Sequence, residues 1–170
     1  MDHVDRILEQ WRTERPDLDL TPMGVFGRIG VLARVIMPRA EGVAAEHGLR
    51  QGEFDVLTAL RRVGAPYALI PSELSDMLMM SRAGMTNRLD RLEAAGFVER
   101  TLDPADRRSF RITLTGAGRK IIDEAMTDHA ANLHRLAKGM TAQELADLTN
   151  GLRKLLGSLE PKPGRTPSAH

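Results

Sequence analysis

Nearly the whole chain repeats its apolar residues at helical spacing, and one short stretch does not. In 109–114, SFRITL, the residues Phe110, Ile112 and Leu114 alternate with Arg111 and Thr113, the period-two pattern of a half-buried strand. Residues 97–101, FVERT, read as its partner. The segment between them, LDPADRR, is then the tip of a hairpin. A chain that must build one hairpin onto a set of helices has few folds open to it: the class is mainly α with a small β-hairpin.

The helices around the hairpin can be placed from their apolar stripes and stop signals. Residues 3–14 put Val4, Ile7, Leu8 and Trp11 on one face, and Pro16 with DLDLTP ends that helix. A second runs from about Met23 to His47 with the stripe Phe26, Ile29, Leu32, Ala33 and Ile36; Pro38 should kink it and Gly48 should stop it. A third covers about Gln51 to Val63, with Phe54, Leu57 and Leu60 inward, before GAPY breaks it and ALIP supplies a very short strand. Pro71-Ser72 begins a fourth, with Leu74, Met77 and Leu78 facing the core. Ser81 is the expected N-cap of a fifth, 82–95, ended by Gly96. Thr115 caps a long helix to about Lys138, carrying Ile122, Met126, His129, Leu133 and Leu136. A last helix opens with the capping box Thr141-Ala-Gln-Glu144 and repeats Leu145, Leu148, Leu152, Leu155 and Leu159. That stripe suits either a core within the chain or a contact with a second copy. The final stretch, 160–170, is a frayed basic tail. Aromatics at 4% agree with helices over a large sheet.

Several function classes are excluded. No cysteine is present, which removes disulfides, thiol catalysis and thiol redox sensing. The sequence lacks G-x-S-x-G, Walker A and a strand–helix G-x-G-x-x-G. His129 and His134 are five residues apart, not the three or four that align ligands on one helix face. No catalysis, metal or cofactor is therefore expected. No apolar run approaches the ~18 residues of a membrane span, and the acidic N-terminus has no signal-peptide core. A cytoplasmic protein without a membrane partner is expected.

Helix, short strand, helix, turn, helix, hairpin is the order of a winged helix-turn-helix, with 82–95 as recognition helix and 103–108 as the wing. On the helical wheel Met85, Leu89 and Leu92 point inward, and Ala83, Asn87, Asp90 and Arg91 lie opposite. Beyond the cap Ser81, the small residues Ala83 and Gly84 let the backbone approach a groove, where Arg82, Thr86, Asn87 and Arg91 offer donors. A net charge of +1 does not itself indicate nucleic acid, but Arg82, Arg88, Arg91, Arg100, Arg107, Arg108 and Arg111 fall close together. Asp103 and Asp106 can order the wing and aim Arg107 or Arg108 at a minor groove. A solvated polar face is the alternative reading of the same residues.

The stretch DPADRRSFRITLTGAGRK, with MSRAGMTNRLDRLEAAGFVER upstream, resembles the wing and recognition helix of the MarR family of bacterial transcriptional regulators; the resemblance covers about residues 20–158. It implies a homodimer on a palindromic double-stranded operator, usually a repressor released by a small ligand. It divides the chain into an extra N-terminal helix (1–20), dimerisation helices (21–48 and 116–159, with Leu145, Leu148, Leu152 and Leu155 at the contact), a winged-helix domain (49–115) and the tail. WRTERPDLDLTPMGVFGRI and FDVLTALRRVGAPYALIPSEL are similar to the urate-responsive subgroup of that family. This implies that Trp11 and Arg62 hold a planar aromatic anion and that Asp55 responds to its charge. Asp55 and Arg62 are two helical turns apart on one face. On other readings, Trp11 anchors its helix in a core, the two charges are solvated, or the winged helix serves only protein–protein contact.

Overall fold

The computed structural model describes residues 1–103 and 110–159. Its elements are α1 (His3–Glu14), α2 (Thr21–Glu46), α3 (Gln51–Arg62), β1 (Ala68–Leu69), α4 (Pro71–Met77), α5 (Arg82–Ala94), β2 (Val98–Leu102), β3 (Phe110–Leu114), α6 (Gly116–Leu136) and α7 (Ala142–Leu159). The fold is mainly helical with one small antiparallel sheet, as the sequence predicts, and most boundaries agree to within a residue or two. Asp106, Arg107, Arg108 and the tail 160–170 lie outside the described residues.

The strand order is β1-β3-β2. Val98 sits opposite Leu114, Leu102 opposite Phe110 and Ala68 opposite Thr113. This register sends Val98, Ile112 and Leu114 into the core, because side chains two apart share a face. α3 contributes Phe54, Val56, Leu57, Ala59 and Leu60 to that core, where they meet Leu74, Met85, Leu89, Leu92, Ile122 and Ala125. Each fully buried leucine stabilises by about 1.5–3 kcal/mol before entropy is counted. Met77, expected inward, is instead 40% exposed. α4 ends at that residue, and Leu78 and Met80 pack on the core in its place.

The junction of α5, the hairpin and α6 is set by backbone fit. Gly96 ends α5 with φ +74, a left-handed conformation that favours glycine. The Thr115 hydroxyl donates to the Gly96 carbonyl (2.7 Å), and its oxygen accepts from the Gly118 amide (3.0 Å). One side chain thus joins the end of α5 to the start of α6. A β-carbon on Gly118 would lie 1.9 Å from the Phe97 carbonyl oxygen, so this approach requires glycine.

By its internal contacts the chain forms two compact units, Met1–Leu133 and the segment from His134 onward. Within the first, α1 lies on α2 through the buried Val4 and Leu8, with Gly27 leaving room for Val4. Arg28 ties the two helices by donating to Asp2 (2.9 Å) and Asp5 (2.5 Å). α2 runs through Pro38 as one helix. Its stripe is not inward: Phe26 is 50% exposed, and Ile29 and Leu32 are exposed as well. Leu133 of α6 is exposed too. In the second unit, Thr141 and Glu144 form the expected capping box, with the two backbone amides donating at 2.7 and 3.2 Å. No residue of α7 is buried. Among the described residues no helix is long and apolar enough to cross a membrane.

Candidate nucleic-acid interface

The turn between α4 and α5 is built from the end of one helix and the cap of the next. The Met79 amide donates to the Asp76 carbonyl (3.3 Å) and the Met80 amide to the Ser75 carbonyl (2.9 Å), the paired bonds of a Schellman ending. Met79 holds the left-handed position at φ +50, which costs a residue with a β-carbon about 1 kcal/mol or more. Ser81 then caps α5, its Oγ accepting from the Gly84 amide (3.2 Å). With Met85, Leu89 and Leu92 buried, the opposite face of α5 is turned to solvent, presenting Arg82, Ala83, Thr86, Asn87 and Asp90. The helix start adds a positive partial charge at the same end. The Thr86 hydroxyl donates back to the Arg82 carbonyl (3.1 Å).

The arginine cluster reads differently once partners are visible. Arg91 Nε donates to Glu53 Oε1 of α3 (2.5 Å), and Glu53 Oε2 accepts from the Arg50 amide (2.9 Å). Arg88 donates to the Gly84 carbonyl (2.8 Å) and lies across α3, where a β-carbon on Gly52 would come 2.0 Å from its Nε. Arg100 is paired with Asp90 and with Glu93 (3.4 Å). Arg111 donates to the nearly buried Asp103 (2.8 Å) at the base of the hairpin. These four arginines brace the domain. Among the described members of the cluster, Arg82 alone is exposed and bound to no other side chain. Arg91 is 40% exposed along its side chain, and its terminal nitrogens remain beyond the one donor that Glu53 takes. Sequence reasoning missed Glu53 and Gly52 as supports of the recognition helix. Glu53 sits three residues after Arg50, a pattern that signals a cap, but nothing local indicates a partner 38 residues away.

The expected effector residues are separate in the single chain. Trp11 is 44% exposed on α1, so Val4 and Leu8 do the anchoring there. Asp55 is half-buried and accepts from Gln51 (2.9 Å), and Arg62 is exposed at the last position of α3. The neighbouring Arg61 pairs with Asp123 (2.7 Å) and lies 5.2 Å from the centre of the Tyr67 ring. A cleft between α1 and α2 is lined by Asp2, His3, Val4, Arg28, Val31 and Leu32, without Trp11. Among the described residues no group of three acids and histidines could hold a metal ion.

Residues 47–109 match the family model described as MarR family. The chain is 40% identical over 157 residues to the HTH-type transcriptional regulator PecS of Dickeya dadantii, covering 92% of each. It is 34% identical over 105 residues to the multiple antibiotic resistance protein MarR of Escherichia coli, covering 61% of this chain and 71% of that one. Among solved structures, a mutant Escherichia coli MarR complexed with operator DNA is similar with a TM-score of 0.64 and 28% identity, covering 77% of this chain and 97% of the other.

The Glu53 contact generates a test. Burial pushes its carboxyl up, but the hydrogen bonds from Arg91 and the Arg50 amide and the two guanidinium charges outweigh this and hold it below its ordinary value of 4.5. A carboxylate depressed in the folded state stabilises above its unfolded value and loses that contribution as the pH falls through the folded one. Glu53→Gln should therefore cost about 1 kcal/mol at pH 7, the modest size reflecting screening at the exposed arginine. The gap to wild type should close below pH ~4.5 in denaturant unfolding. A gap independent of pH would show that the charge is not what holds α3 to α5.

Proposed function

This chain belongs to the MarR family, and on that premise we propose that it binds a palindromic operator as a homodimer and leaves it on binding a small planar aromatic anion. It is a DNA-binding transcriptional regulator and not an enzyme. The observation that carries the proposal is the solvent-facing start of α5, where Arg82, Ala83, Thr86 and Asn87 stand out from a core-anchored helix. Arg82 and the terminal nitrogens of Arg91 suit phosphate oxygens, and Asn87 suits an adenine edge. Ala83 allows close approach, and the Ser81 cap keeps the helix start in register. Arg107 and Arg108 then reach a minor groove from the wing, which Asp103 and Asp106 order. The bond that Asp103 accepts from Arg111 supports that reading.

Salt dependence separates this reading from a winged helix used only for protein contact, because phosphate contacts release counterions. In gel shifts on a recovered operator, Arg107→Ala and Arg108→Ala should each weaken binding and lower the salt slope by about 1, with folding unchanged. Unaltered affinity and slope in both would remove the wing from the interface.

The homodimer is supported by the exposed Leu145, Leu148 and Leu152 of α7, with Leu155 on the same stripe, and by the two-fold symmetry that a palindrome demands of its reader. Leu152→Asp would place a charge in that contact at a cost of several kcal/mol. It should shift the protein to monomer in light scattering and abolish tight operator binding. A variant that stays dimeric puts Leu152 outside the interface.

For the effector, Trp11 offers a stacking surface and Arg62 an exposed guanidinium. Asp55 shares α3 with Arg62 and is placed to respond to an added negative charge. Urate should bind in calorimetry and release operator DNA. Trp11→Phe and Arg62→Ala should each blunt the release while leaving DNA affinity near wild type. No heat with urate, xanthine or simple aromatic acids would remove the effector part and leave the DNA reading standing.

A further inference from the structure

Met79 breaks two local rules at once. It holds the left-handed C′ position of the α4 ending at φ +50, where glycine or asparagine is the ordinary occupant. It also leaves a long apolar side chain 94% exposed. Neither departure serves the fold. The next residue, Met80, packs on the core and makes the second bond of the turn, so the Met79 side chain anchors nothing. It stands two residues before the Ser81 cap, beside the exposed Arg82 and Ala83. A strained, exposed apolar residue at the lip of a binding surface marks a site where sequence has been spent on function.

We propose that Met79 is a specificity-determining residue of the DNA interface, packing its thioether chain on a thymine methyl at the edge of the half-site. The inference rests on operator binding as proposed above. Thymine is the base that presents an apolar group in the major groove, and an unbranched, polarizable side chain adapts to it without needing a fixed rotamer. Among the exposed neighbours only the short Ala83 side chain and the Thr86 methyl are apolar, and neither has the length of a thioether chain.

The test uses a duplex recovered from random sequence by the wild-type protein, with each thymine replaced in turn by deoxyuridine, which lacks only the methyl. One replacement in each half-site should weaken wild-type binding about four-fold, the effect of one apolar carbon removed from contact. Met79→Asn, which suits the left-handed position, should melt at the wild-type temperature or above. It should bind the unmodified duplex about sixteen-fold more weakly, since a homodimer loses the contact in both half-sites, and show no further loss at that deoxyuridine. Met79→Leu should restore both the affinity and the sensitivity. The inference is overturned if Met79→Asn binds as wild type does, or binds more weakly yet keeps the deoxyuridine sensitivity. A wild-type protein that recovers no duplex overturns operator binding itself, a result distinct from either of these.

Discussion

Both oxygens of one nearly buried carboxylate are committed in this protein, and the position of the recognition helix follows from that. Glu53 closes the first turn of α3 with one oxygen and holds Arg91 of α5 with the other. The apolar residues Met85, Leu89 and Leu92 set how deeply α5 sits, but three residues on one stripe leave its rotation loosely defined. The Glu53–Arg91 pair and the Arg88 side chain lying over Gly52 define it. The pair is costlier to break from the arginine side, since Glu53, 9% exposed along its side chain against 40% for Arg91, would be left charged in a poorly hydrated place.

The same pattern recurs around the hairpin. Asp90 and Glu93 hold Arg100, and Asp103 holds Arg111. The near neutrality of the chain, +1 overall, is therefore not a uniform mixture of exposed charges. Acids hold three of the four arginines that brace the domain, Arg88 bonding to the Gly84 carbonyl instead, and the exposed cation among the described members of the cluster that binds no side chain stands at the start of α5.

α3 carries residues of both the proposed effector site and the support of α5. It supplies the largest share of the core, carries Asp55 and Arg62, and bears Glu53 in its first turn. In the proposed function, a change of charge beside Asp55 would act on a helix two residues from the carboxylate that holds Arg91 of α5. No long relay is needed, because a packed helix moves as a body. α2 leaves Phe26, Ile29 and Leu32, and α7 leaves Leu145, Leu148 and Leu152, exposed, and these side chains are the physical ground for a second copy in the proposed function.

Much of the fold was legible in the chain because it depends on local rules. The alternation of Phe110, Ile112 and Leu114, the Ser81 and Thr115 caps, the Gly96 stop and the Thr141–Glu144 box each act over a few residues, and each element stands where those rules put it. Met77 was misplaced for a complementary reason: helical spacing does not say where a short helix stops. The stripes of α2 and α7 were visible as apolar, but spacing cannot distinguish a core from a surface awaiting a partner. The charges were the least legible. Seven arginines near one another suggested an open basic face, whereas the partners of Arg91 and Arg111 lie 38 and 8 residues away and are brought in by packing. By itself the sequence determined periodicity, caps and turns, since these are set by steric and hydrogen-bonding preferences of neighbouring residues. Only the tertiary structure decided which arginines are scaffold and which are free, because an ion pair depends on distance in space, and that distance exists only once the core has closed.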